Sequence, residues 1–264
     1  MNFDTLFDPI FQLPFMVGLF ISIALPLLGV LLRLRDEWLA ALGFAYLSGI
    51  SALLGMAVNI PAIISAPVGA VAGALIKGFG KFKGNTIYAA MILIGWAGTM
   101  LIAANTALGH VMGHAMIEGQ LYFAGTLQFV VTTVLLILII LSLPWLMPRL
   151  IRARFFPSHE KANNLPAWRW HLSFDLLVAL GMAIGTGTIG LMAAFALIFI
   201  PPWIAFRIAK NWKNCLRISL IFGVVSYLLA FSVALMMDQP FGPVMVMVLI
   251  LASGLIMTFH SRRQ

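Results

Sequence analysis

Leu191-Met-Ala-Ala-Phe-Ala-Leu-Ile-Phe-Ile-Pro-Pro-Trp-Ile-Ala-Phe-Arg-Ile-Ala-Lys-Asn-Trp-Lys-Asn-Cys-Leu-Arg217 changes character halfway along, with no loop composition between its halves. Through Ile200 every side chain is apolar and uncharged, which suits hydrocarbon. After Pro201-Pro202 come Arg207, Lys210, Lys213 and Arg217, spaced three, three and four apart, the spacing of one helical face. The stretch therefore reads as a membrane span with a basic segment docked directly beneath it.

The whole chain agrees. Of its 264 residues 62% are hydrophobic and 9% charged, and the mean hydropathy is +1.05, outside the range of soluble domains. A formal charge of +8 could serve nucleic acid, but basic groups confined to short loops between apolar runs are the orientation signal of membrane proteins, so no nucleic-acid partner is expected. Residues 1–12 carry Asp4 and Asp8 and no Lys or Arg, unlike the basic start of a cleavable signal peptide. The single cysteine, Cys215, cannot form an internal disulfide and reads as a small interface residue.

Nine apolar runs are long enough, or nearly so, to cross a bilayer: about 13–32, 38–58, 62–76, 86–108, 123–147, 172–185, 191–202, 218–237 and 243–259. The sixth and seventh look short, and Gly185-Thr-Gly-Thr188 reads as a tight turn between them. All 16 Lys and Arg residues fall at 33–35, 77–83, 149–169, 207–217 and 262–263, which are alternate connections. The fold class expected is thus an all-α polytopic bundle, one permease domain over 1–264, with the N-terminus outside and the C-terminus cytoplasmic. Asp175 is the nearest thing to an intramembrane carboxylate and is read as sitting at a helix N-terminus, beside the positive end of the dipole.

No Gly-x-x-x-x-Gly-Lys-Ser/Thr phosphate loop is present, so the chain is not an ATPase. A basic segment after a proline pair fits a permease that docks a separate motor, with 203–217 as the coupling segment and Pro201, Pro202, Trp203, Arg207, Lys210, Lys213 and Arg217 as its residues.

Four segments, in order, resemble the permease subunits of bacterial zinc, manganese and iron ABC importers. Ala24-Leu-Pro-Leu-Leu-Gly-Val-Leu-Leu-Arg-Leu-Arg35 resembles the end of that family's first span, and Gly84-Asn-Thr-Ile-Tyr-Ala-Ala-Met-Ile-Leu-Ile-Gly95 its entry to a later one. Gly190-Leu-Met-Ala-Ala-Phe-Ala-Leu-Ile-Phe-Ile-Pro-Pro-Trp-Ile-Ala205 is similar to its Gly-x-Leu-Leu-x-x-Ala-Leu-Leu-x-x-Pro-Ala-x-x-Ala segment, and Met237-Asp-Gln-Pro-Phe-Gly-Pro243 to its outer Asp-x-Pro-x-Gly turn, which includes Asp238. The resemblance implies a second copy of the permease, a cytoplasmic ABC ATPase dimer and a periplasmic or lipid-anchored metal-binding protein, in the bacterial inner membrane. It implies no bound cofactor, with zinc, or alternatively manganese, as cargo.

One departure cuts against this. The family's second span carries Gly-Asp-Ala-x-Ser-His-x-x-x-Pro-Gly, whose Asp and His hold the metal; alignment on Gly49 puts Ala40 and Phe44 in their places. Neither offers a lone pair to Zn²⁺ or Mn²⁺. Either the site has moved, or the ion crosses with little coordination, or the substrate is something else: a non-metal import cargo, or none in a membrane scaffold that does not transport. A moved site has one candidate, His110, His114 and Glu118, which at i, i+4 and i+8 would share a helical face at the outer rim.

Overall fold

The computed structural model describes residues 9–80, 84–106, 119–163 and 165–261. Its elements are α1 (Pro9–Leu34), α2 (Trp38–Ala57), α3 (Ala62–Phe79), α4 (Asn85–Asn105), a 3-10 turn (Leu121–Phe123), α5 (Thr126–Phe155), α6 (Pro157–Ala162), α7 (Ala167–Ile189), α8 (Leu191–Ile208), α9 (Trp212–Met236) and α10 (Phe241–Ser261). Among the described residues there is no strand, and nine helices, all but the short α6, are long and apolar enough to cross a membrane. Helices satisfy every backbone donor internally, which lipid cannot do for them.

α1 and α7 are the central staves, with 67% and 72% of their spans buried against 22% for α4 and α5. α2, α3 and α4 pack into one group, and α1 gathers α5, α8 and α9 into another; α7 touches both. Lipid supplies no hydrophobic force between helices, so small residues and close backbone approach do the joining.

Proline and glycine pair across helices to permit that approach. Pro202 has no N–H, which leaves the Ile198 carbonyl without its helical donor. That carbonyl faces Gly29 of α1, where an added Cβ would overlap the oxygen and stand 2.7 Å from Pro202 Cγ. The arrangement repeats between α1 and α9: Pro26 frees the Ser22 carbonyl, and a Cβ on Gly223 would lie 2.6 Å from Pro26 Cγ and 3.1 Å from Ser22 O. Gly29→Ala is therefore expected to lower stability by about 1–3 kcal/mol through forced separation of α1 and α8. Gly187→Ala is the control, because a Cβ there meets nothing within 4 Å and alanine favours the helix. Thermal melting of the two variants in detergent should move in opposite directions.

Two expectations about spans six and seven are corrected. α7 has 23 residues and α8 has 18, so neither is short. Gly185-Thr-Gly-Thr188 is not a turn but the last full turn of α7, where Thr188 Oγ1 donates to Ile184 O at 2.8 Å. The chain reverses at Gly190 alone, whose φ of 91° and ψ of 156° an L side chain rarely adopts. The sequence boundary fell short because the polar first turns of α7, with Arg169 and His171, read as loop.

Candidate functional site

Nine alternating crossings bring the connections after α1, α3, α5 and α8 to one end of the bundle, the basic and hence cytoplasmic one. Three of these elements meet there in a buried ion cluster. The turn after α1 is tight: Asp36 N donates to Arg33 O, Glu37 N donates to Leu32 O, and Asp36 takes the left-handed φ of 60° that aspartate tolerates. It presents Arg35 and Glu37 together. Lys77 arrives from the last turn of α3, and Asp175 from α7.

Four ion pairs close the ring. Arg35 Nη2 lies 2.6 Å from Glu37 Oε2, and Arg35 Nη1 donates to Asp175 Oδ1 at 3.0 Å. Lys77 Nζ donates to both carboxylates, at 3.0 Å to Glu37 Oε2 and 2.6 Å to Asp175 Oδ1. The side chains of Asp175, Lys77 and Arg35 are only 4%, 9% and 11% exposed, so each charge depends on its two partners rather than on water. Aromatic rings wall the cluster: the Arg35 guanidinium lies 5.3 Å from the Phe174 ring centre and Lys77 Nζ 5.6 Å from that of Tyr88. Burial alone would raise the Glu37 carboxyl, but Arg35 and Lys77 outweigh it and hold the group below the ordinary carboxylate range. The ring borders a cavity of about 290 Å³ that Tyr88, Trp168 and His171 also line.

This corrects the reading of Asp175. It stands eight residues inside α7, beyond the reach of the helix dipole, which fades within the first turn. Its partners are Arg35 and Lys77.

The other predicted residues lie elsewhere. Ala40 and Phe44 are fully buried in α2, and Phe44, together with Leu47, packs over Gly73 of α3. These positions offer packing and no donor. His110, His114 and Glu118 lie outside the described residues. Asp238, with φ of 51°, forms the outer turn after α9, where Gln239 N donates to Ala234 O. Among the described residues no three His, Cys, Asp or Glu side chains stand close enough to hold a metal ion.

Arg207, Lys210, Lys213 and Arg217 are all exposed, but they do not share one helical face. α8 ends at Ile208, Ala209 is extended, and α9 starts afresh after Asn211, whose side chain accepts from Asn214 N at 2.9 Å. Arg207 thus closes one helix, its guanidinium 4.8 Å from the Trp203 ring centre, Lys210 lies in the break, and Lys213 and Arg217 open the next. Pro201 and Pro202 sit buried within α8 above the break. Cys215 is buried between Val30 and Ala205, as a small interface residue would be. Among the described residues no carboxylate pairs with any of the four cations.

A profile of the ABC 3 transport family matches residues 8–260. Among solved structures, PsaBC from Streptococcus pneumoniae in complex with Fab superposes with a TM-score of 0.81 at 18% identity, over 96% of this chain and 92% of that one. A protein described as a metal-chelate type ABC transporter, in an inward-facing conformation, superposes with a TM-score of 0.71 at 16% identity, over 93% and 84%. At these identities the two likenesses establish the fold. No curated protein matches the sequence.

Proposed function

The chain belongs to the ABC 3 transport family, and on that premise we propose that it is the permease of an ABC importer for a divalent transition metal, zinc first and manganese second. Two copies pair in the bacterial inner membrane above a cytoplasmic ATPase dimer, and a periplasmic or lipid-anchored metal-binding protein supplies the ion. The permease is not itself an enzyme; closure of the motors rocks the bundle through 203–217 and exposes the pathway alternately to each side. The family match over 8–260 carries this reading. The likeness of the fold to a metal-chelate type ABC transporter favours metal as the cargo class.

A second reading keeps the scaffold and changes the cargo to a non-metal, or removes transport altogether. It rests on Ala40 and Phe44, buried and without donors where metal ligands would be needed.

Reconstitution of the permease with its ATPase and binding protein in liposomes separates the two. Zinc- or manganese-stimulated ATP hydrolysis with uptake of the same ion is the expected result; no stimulation by zinc, manganese or iron leaves the second reading. In the same assay His110→Ala with His114→Ala is expected to raise the zinc concentration for half-maximal uptake and to leave the maximal rate nearly unchanged, because an outer-rim site captures the ion. The effect should shrink as pH falls through about 6.5, where ordinary histidines protonate and stop binding metal. An unchanged concentration dependence at both pH values removes the pair from the pathway.

A further inference from the structure

We propose that Arg149 and Arg152 form a site for the phosphate of an anionic membrane phospholipid, whose acyl chains lie along the α5 surface above them. The site does not depend on what the permease carries.

α5 has 30 residues, about 45 Å of helix at roughly 1.5 Å per residue, against about 30 Å of hydrocarbon. Counted from Thr126, the roughly 20 residues that cross the core end at Trp145, an aromatic at the depth where tryptophans settle. The last turns of α5 therefore stand among headgroups. Leu138, Leu141, Trp145, Arg149 and Arg152 are spaced three, four, four and three apart and share one face of the helix. The three apolar members are 45%, 74% and 45% exposed. One strip of α5, about 21 Å long at the helical rise, thus presents apolar surface that ends in two guanidinium groups. A phospholipid offers its chains and its phosphate in the same order.

The two arginines also border a cavity of about 260 Å³, lined further by Ala153 of α5, Glu160 of α6, Leu165 and Trp170 of α7. Arg149 is held in place: its Nη1 donates to Trp145 O at 2.6 Å, and its guanidinium lies 4.4 Å from the Trp145 ring centre. Glu160 shares the cavity yet pairs with neither arginine. Its carboxylate turns to α7, accepting from Trp170 Nε1 at 2.9 Å and lying 3.4 Å from His171 Nε2. Among the described residues no carboxylate stands within ion-pair distance of Arg149 or Arg152.

The described lining therefore carries two positive charges and one negative. A headgroup with one net negative charge neutralises the excess, and a zwitterionic one leaves it. Guanidinium forks match phosphate oxygens in geometry, and basic pockets at the cytoplasmic ends of spans suit anionic headgroups.

The test is native mass spectrometry of the full-length permease titrated with phosphatidylglycerol, phosphatidylethanolamine, phosphatidylcholine or inorganic phosphate, with melting temperature read in parallel. One phosphatidylglycerol per permease should bind at least tenfold more tightly than either zwitterionic lipid and should raise the melting temperature. Arg149→Gln with Arg152→Gln should weaken that site at least tenfold and remove the thermal shift. Lys213→Gln with Arg217→Gln deletes two charges from the other basic segment and should leave phosphatidylglycerol binding as in the parent. Ala153→Phe fills the cavity, keeps every charge and should also lose the site; it stands in for the arginine variant if that one does not accumulate. Equal losses in the two charge-deleted variants reduce the effect to overall charge and overturn the proposal, as does full binding by Ala153→Phe. A preference for phosphatidylethanolamine assigns the cavity to an ammonium on Glu160, and equal stabilisation by inorganic phosphate assigns it to a free anion. A change from dimer to monomer in the arginine variant assigns the face to a second copy of the chain. Each of these three results overturns the lipid site.

Discussion

Asp175→Ala is expected to cost about 3–5 kcal/mol, the usual result of removing one partner from a buried ion cluster. What remains is Arg35, Lys77 and Glu37, one net positive charge with side chains 11%, 9% and 26% exposed. Water reaches Arg35 and Lys77 too poorly to compensate. In detergent the variant should melt far below the parent or fail to accumulate. Lys77→Met combined with Asp175→Leu is the informative partner, because it removes one charge of each sign and leaves the Arg35–Glu37 pair at 2.6 Å. That double variant should recover most of the lost stability, since apolar replacement of a complete buried pair is often neutral or favourable. A helix-dipole role for Asp175 predicts otherwise: a loss of about 0.3–1 kcal/mol, with no recovery when Lys77 is changed.

Why the cluster escaped sequence analysis is a matter of distance along the chain. Asp175 is separated from Arg35 by 140 residues and from Lys77 by 98, and no local pattern encodes a contact of that range. The nine crossings were legible because lipid imposes its demand on each span separately, through length and apolarity, and the alternation of Lys and Arg set their direction. Cross-helix features were not legible. Gly29 and Pro202 are unremarkable in their own helices, and only the packing of α1 on α8 makes one the complement of the other. The basic segment failed differently. The spacing of the four cations runs unbroken through 209–211 and so mimics one helix, although Asn211, three residues before Asn214, is a residue type suited to cap a new helix start. That Ala40 and Phe44 offer no metal donor was visible in sequence; that Phe44 packs against Gly73 of α3 was not.

Arg207→Glu with Lys210→Glu is expected to abolish transport while the permease stays inserted. The four exposed cations of 207–217 have no carboxylate partner among the described residues, and Lys213 stands in the first turn of α9, where the helix's own positive end disfavours it. Water solvates these exposed cations, and they present positive charge to whatever lies beneath the membrane. An ATPase surface and lipid phosphates both meet it with negative charge, and charge reversal tells them apart. Against an acidic ATPase surface it sets like charges together, at several kcal/mol, and each 1.4 kcal/mol is about a tenfold loss of affinity. The ATPase should therefore no longer copurify with the permease, and zinc uptake in liposomes should fall by roughly a hundredfold or more. Insertion should persist, because the twelve Lys and Arg residues outside this segment still mark the cytoplasmic side. Residual binding by the parent should weaken with added salt, as exposed ion pairs do. If the reversed permease still holds its ATPase and moves zinc at the parental rate, the segment faces lipid headgroups, and the motor docks on another part of the cytoplasmic surface.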